Sequence, residues 1–299
     1  MTNTRRTFLQ GSAAAVTLST AAAAAPLPSV KFGGKHDISR LIIGTNPLMG
    51  YSHHNRILDQ CMREWMTPAR RIETVLAAER AGITTWQLHY HQETIDILKG
   101  IRAQGSRMKV FLLSDFELHK DFTMIPGVAQ LGFLGMAHHG NRTDDAFREG
   151  KMDRVLEFVQ RVRDTGVMAG VSTHNPKVVE WIESKGWPVD YYMTCMYQVS
   201  RTPEETRAAM GGERPLGEPF LEKDPERMTA VVRKTKKPCL AFKLLGAGRT
   251  GYPKEQIASA MKYVYSNIKE NDAAIVGMWP KFKDEITENC DIVRQIHAT

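Results

Sequence analysis

Eight short apolar segments recur along the chain, each followed by a helical pattern, and this alternation limits the fold more than any other feature. The segments fall at residues 41–44, 84–88, 109–114, 131–137, 167–171, 191–196, 238–243 and 273–276. They are brief, apolar and mostly bounded by glycine or proline, as strands buried on both faces should be. Helical patterns lie between them, among them residues 68–80, 153–165, 176–185, 225–235 and 254–266. Thr67 and Pro68 make an N-cap followed by proline at the first helical position. Eight βα units in a chain of 299 residues match a (β/α)8 barrel in both count and length. The alternation predicts one α/β domain, a TIM barrel, over residues 29–299.

The first 28 residues read differently. Thr4-Arg5-Arg6-Thr7-Phe8-Leu9-Gln10 resembles the twin-arginine export motif, and an alanine-rich apolar run follows as far as Pro26. A charged start, an apolar middle and a small-residue end are the three parts of a signal peptide. The run is too short and weakly apolar to span a bilayer. The expected partner is therefore the twin-arginine export machinery, with a periplasmic or secreted mature protein not held in the membrane. The formal charge of +7 loses Arg5 and Arg6 on processing, and the remaining cations are dispersed. Nucleic-acid binding, which needs a clustered basic face, is not expected. The four cysteines, Cys61, Cys195, Cys239 and Cys290, form no C-x-x-C pair. Cys195 and Cys239 sit in apolar runs and read as small buried hydrophobes.

Two connections exceed the usual handful of residues, 46–67 after the first strand and 199–224 after the sixth. Both follow strand C-termini, so both should overhang the mouth. The second, with Gly211-Gly212, Pro215, Gly217 and Pro219, reads as a lid, with a disordered insertion as the alternative.

Chemistry-bearing residues collect at the same end. Of ten histidines, His53, His54, His89, His91, His119, His138, His139 and His174 lie at strand C-termini or in the loops that follow. Gln87, His89 and His91 alternate along one extended segment, so they share a direction. Asp115 and Glu117 follow the third strand at the same spacing. Neutral imidazole with carboxylate suits zinc, manganese, iron or nickel, and a catalytic site leaves one position open. A divalent metal held by His89, Asp115, His138 or His139, and His174 is the expectation, with Glu117 or Asp115 as base. Without a metal, the same groups would bind an anionic substrate or shuttle protons. Tyr197 and Lys243 are further mouth candidates, as acid and as orienting cation, and Asn46 is a substrate-positioning one.

Several fragments together resemble the aldo-keto reductase superfamily: Leu41-Ile42-Ile43-Gly44-Thr45, Ala81-Gly82-Ile83-Thr84-Thr85-Trp86, Gly170-Val171-Ser172-Thr173-His174-Asn175, Leu244-Leu245-Gly246-Ala247-Gly248, and Ile275-Val276-Gly277 with Glu288-Asn289. That resemblance implies the barrel and, for the family, carbonyl reduction with a nicotinamide cofactor by an Asp, Tyr, Lys and His. Here the first three positions hold Gln87, Gln92 and Asp115, and only the histidine remains, as His138 or His139. Gln92 cannot donate a phenolic proton, and Asp115 reverses the charge that lowered the phenol's pKa. The resemblance also suggests phosphate contacts for Arg249, Lys281 and Lys283, with ordinary surface charge as the preferred reading.

The sequence thus predicts an exported, metal-dependent hydrolase, isomerase or lyase acting on a small polar, sugar-like substrate. The alternatives are a divergent NADP-dependent oxidoreductase and a non-catalytic periplasmic binding protein.

Overall fold

The computed structural model describes residues 25–298, and the arginine-pair motif and its apolar run up to residue 24 lie outside them. Two antiparallel strands come first, β1 (Ser29–Phe32) and β2 (His36–Ser39). Eight more follow: β3 (Leu41–Gly44), β4 (Thr85–His89), β5 (Lys109–Leu113), β6 (Gly135–His138), β7 (Met168–Thr173), β8 (Tyr191–Cys195), β9 (Cys239–Phe242) and β10 (Ala273–Gly277). These close into a parallel barrel in chain order, with β10 beside β3. The (β/α)8 architecture is the expected one. The largest shift in a boundary is at β6, which begins at Gly135 rather than 131. Gly132 sits at φ +78°, a left-handed turn that no strand can contain.

The β1–β2 hairpin was not legible, because polar His36 and Asp37 interrupt any apolar run. It closes the floor of the barrel. Val30, Phe32 and Ile38 pack against Ile42, Phe111, Tyr191 and Leu240. Phe32, Phe111 and Tyr191 meet with ring centroids 5.2–5.8 Å apart. Tyr191 fits because Gly170 faces it, and a Cβ on Gly170 would lie 2.3 Å from Tyr191 Cζ. Gly170→Ala is therefore expected to destabilise the barrel by about 1–3 kcal/mol through overpacking. An unchanged thermal midpoint would contradict that packing.

The strands decide which side chains reach the mouth. Trp86 and Leu88 of β4 enter the layer between barrel and helices, leaving Gln87 and His89 on the barrel side. In β6, Ala137 joins the barrel interior and Met136 the outer layer, so His138 also turns outward. No helix of the described residues is long and apolar enough to cross a membrane. The four cysteines are free thiols, three of them buried.

Candidate functional site

Among the described residues, four non-glycine side chains stand on left-handed backbone: His53 (φ 55°), Phe116 (46°), Lys243 (59°) and Ala247 (54°). All four lie in segments that follow strand C-termini, at the mouth of the barrel. Such conformations cost of order 1–3 kcal/mol each and persist where the surroundings over-determine them, often at functional sites. The strain marks the mouth as the place where side chains are aimed.

The best-ordered pair there is His174 with Asp144. His174 follows the outward-facing Thr173 and so turns toward the mouth. Asp144 belongs to the helix Gly140–Arg148 and is 2 % exposed. Its carboxylate accepts from the Thr173 hydroxyl at 2.5 Å, the His174 backbone N–H at 3.0 Å and His174 Nδ1 at 2.9 Å. An ionised carboxylate only accepts, so Nδ1 carries the proton and Nε2 keeps its lone pair. The ring lies edge-on to Phe242, centroids 5.6 Å apart. Its approach to the helix depends on Gly140, where a Cβ would stand 2.9 Å from His174 Cε1. This is the geometry of an oriented general base.

Both long connections overhang the mouth. The first contains the helix Arg56–Trp65 and the second the helix Pro203–Ala209, so the second is an ordered lid rather than a disordered insertion. Arg201 and Asp224 clamp its two ends in a buried ion pair. Its tip lowers Glu218 and Phe220 toward the barrel. Glu218 Oε1 meets His53 Nδ1 at 2.9 Å, and Asn46 Nδ2 lies 3.1 Å from His53 Nε2. The two overhanging segments thus join across the opening.

Lys243 follows β9 beneath that junction. Its side chain is 9 % exposed, with Nζ 3.9 Å from Glu218 Oε2 and 5.8 Å from the Phe220 ring centroid. Nζ is buried without a hydrogen-bond partner. Burial pushes the ammonium below the usual lysine range, while Cys195 and Glu218 pull it back. The Cys195 thiol is itself pushed up to about 12 by burial.

Other expected residues are separated by the fold. His138 faces the helix layer, its ring 5.3 Å from Phe158 and 5.3 Å from His119, with Nδ1 2.8 Å from the Thr143 hydroxyl. The register of β6, not the identity of the residue, sends it there; His139 is the one that turns to the mouth, Nε2 3.7 Å from Asp115 Oδ2. His89 sits over the barrel between Tyr51 (5.7 Å) and Phe116 (5.9 Å), and its Nε2 is buried without a partner. Burial lowers its pKa to about 4 against the pull of Asp115. Glu117 is exposed on the short helix Phe116–Lys120, paired with Lys120 at 2.8 Å, and is not directed at the mouth. His91 caps the helix Gln92–Ala103. Tyr197 lines a different cavity, between the helices Asp224–Lys234 and Lys254–Asn267.

The donor set does not fit the expected metal. Among the described residues, no three or more His, Cys, Asp or Glu side chains are placed to hold one ion. His138 is on the far side of the strand, its ring among Phe122, Phe158 and His119. The expected assembly of His89, Asp115, His138, His139 and His174 around one centre is therefore not formed.

A cavity of about 300 Å³ extends from Gln87 and Lys243 past Gly44, Asn46 and Gly277 to Glu288 and Asn289. It occupies the region where the superfamily resemblance would place a nucleotide. None of Arg249, Lys281 and Lys283 lines it. Arg249 packs on Phe220 at 3.9 Å, and Lys283 pairs with Glu288 at 2.5 Å. Glu285 and Glu288 contribute two carboxylates to the wall instead. These residues do not fit the phosphates of a nicotinamide nucleotide. Gln92, at the position of the phenol, is an exposed helix-start residue bonded to Asp96.

Asp144 and Glu218 were not singled out in the sequence. Glu218 offered a signal, since it lies between Gly217 and Pro219 in the expected lid. Asp144 offered none beyond its place in a helix after a strand end.

No protein-family model matches the chain, and no curated protein does. Its fold is shared with solved structures. An aldo-keto reductase from Bacillus halodurans, in its holo form, is 11% identical over 91% of each chain, with a TM-score of 0.56. A truncated 3-deoxy-D-arabino-heptulosonate 7-phosphate synthase from Thermotoga maritima is 12% identical over 91% of this chain and 92% of its own, at 0.51. The class is thus a (β/α)8 barrel similar in fold to the aldo-keto reductases. At this identity the likeness is one of architecture.

Proposed function

We propose that this protein is an enzyme of proton transfer, an isomerase or lyase, acting on a small polar carbonyl compound at the barrel mouth. The observation that carries this reading is the buried Asp144–His174 pair opening on the mouth where Lys243 is held. His174 Nε2 is the base that removes a proton from carbon beside the carbonyl. Asp144 holds the tautomer and offsets the imidazolium charge that results. Lys243 binds the carbonyl end, Gln87 and Asn46 contact hydroxyls, and the lid excludes water. In this reading Asp115, beside His139, returns the proton on another face. The small cavity and its hydroxyl-compatible lining favour a sugar-sized substrate.

The test is hydrogen exchange in deuterated water. Purified protein is incubated with a panel of small aldoses, ketoses and keto acids and followed by proton NMR. Stereospecific loss of one α-proton signal, absent with His174→Ala, is the expected result. Washout that is equal in both proteins, or no washout across the panel, defeats the reading.

Export belongs to the same proposal. Arg5-Arg6 and the run after them support a twin-arginine signal and a periplasmic or secreted enzyme. Replacing both arginines by lysine is expected to leave the protein cytoplasmic on cell fractionation.

A further inference from the structure

Lys243 is built unlike an ordinary substrate-binding cation. A lysine that binds an anion or a hydroxyl keeps its ammonium hydrated or fully hydrogen-bonded, because burying an unpartnered charge is costly. Here Nζ has no hydrogen-bond partner and no contact with solvent. The nearest carboxylate oxygen, Glu218 Oε2, is 3.9 Å away. The stem is aimed by a strained left-handed backbone at φ 59°, which the turn Lys243–Gly246 holds with a hydrogen bond of 2.9 Å from Gly246 N–H to the Lys243 carbonyl. The side chain lines the cavity together with Phe242, Leu244 and Gln87. A water-excluded amine with an open valence, aimed into a cavity, is the arrangement of a nucleophile rather than a counter-ion.

We propose that Lys243 captures its substrate covalently, condensing through Nζ with the carbonyl of a small hydroxylated aldehyde or ketone to form an imine. The inference rests on the proton-transfer reading above and names its substrate chemistry. The Nζ lone pair forms a C–N bond to the carbonyl carbon, whose oxygen takes a proton and becomes a carbinolamine hydroxyl. Loss of that hydroxyl as water forms C=N, so the step is a condensation with no oxidant or reductant. The protonated imine keeps the single positive charge of the lysine. Glu218 is near enough to stabilise that cation, and the imine is the electron sink that acidifies the adjacent C–H for His174. Burial and the neighbouring Arg249 both hold the ammonium below its usual range, which enlarges the fraction of free amine. Because Phe220 and Glu218 cover Nζ, capture requires the lid tip to lift.

The test is reductive trapping. The full chain is incubated with dihydroxyacetone or pyruvate and sodium cyanoborohydride, with glycerol as the control lacking a carbonyl. Intact mass and peptide mapping then locate the secondary amine. One adduct per chain at Lys243 is expected, its labelled fraction well above that of the exposed Lys120 or Lys151. Lys243→Arg should lose that adduct while keeping its circular dichroism spectrum. Labelling only at exposed lysines, or none with either compound, overturns the inference. His174→Ala separates it from the reading on which it rests: that variant should keep the Lys243 adduct while losing α-proton exchange. Exchange in the wild type without any adduct would sink covalent capture alone. An adduct without exchange would sink the proton-transfer reading alone.

Discussion

Replacing Asp144 by Asn should lower catalysed α-proton exchange by about 10²–10⁴-fold while leaving the fold intact, the range for losing an oriented general base. The reason is charge. One carboxylate oxygen, Oδ2, accepts both from Nδ1 at 2.9 Å and from the His174 backbone N–H at 3.0 Å. An asparagine that turns its oxygen to this corner keeps both contacts but not the negative charge. The imidazolium formed when His174 takes a proton then has no counter-charge beside it. Thr173→Val removes one of the three donors to the same carboxylate and leaves its charge in place. It should cost only about 1 kcal/mol of stability and a small part of the rate. NMR exchange rates for the two variants, with thermal midpoints as the fold control, make the comparison. Equal rate losses would mean that Asp144 is merely a helix anchor.

The second large effect is acid instability. Burial lowers His89 to about 4 and His138 well below its usual value, and it also lowers His139. The unfolded chain holds these imidazoles near 6.5, so below that pH it binds protons that the folded protein refuses. Their neutral forms thus contribute fully above pH 6.5, and stability is lost as pH falls from 6.5 toward 4. For His89 alone this amounts to about 3 kcal/mol, at 1.36 kcal/mol per pKa unit. The thermal midpoint should therefore drop steeply across that interval. His138→Phe offers a check, since the ring already lies among Phe122, Phe158 and His119. The variant should lose the Thr143 contact yet show a shallower acid limb. Acid limbs that run parallel in the two proteins would remove His138 from the account.

The barrel and the function of its mouth were legible to different degrees. Apolar runs such as Leu41–Gly44 and Tyr191–Cys195 are local signals, and burial on both faces makes each conspicuous. The N-cap Thr67 with Pro68 foretold the helix Pro68–Arg80, because capping is settled within one turn. The mouth was located because histidines and long loops follow strand ends. Its inner arrangement was not. His138 and His139 are adjacent, and a shift of one position in a strand exchanges the faces. Expecting the strand over 131–137 left that parity open, and the left-handed turn at Gly132 decided it.

The amino-acid sequence alone determined the eightfold alternation, the barrel, and the end at which polar groups collect, because periodicity and turn chemistry act between near neighbours. Tertiary packing decided which groups work together. Asp144 meets His174 from a helix 30 residues earlier, and Glu218 reaches His53 across 165 residues. Such pairs depend on how helices and loops pack over the strand ends, and no local pattern encodes that distance. The same packing parted the histidines that looked like one cluster, and it left the Lys243 amine buried without a hydrogen-bond partner beneath the lid.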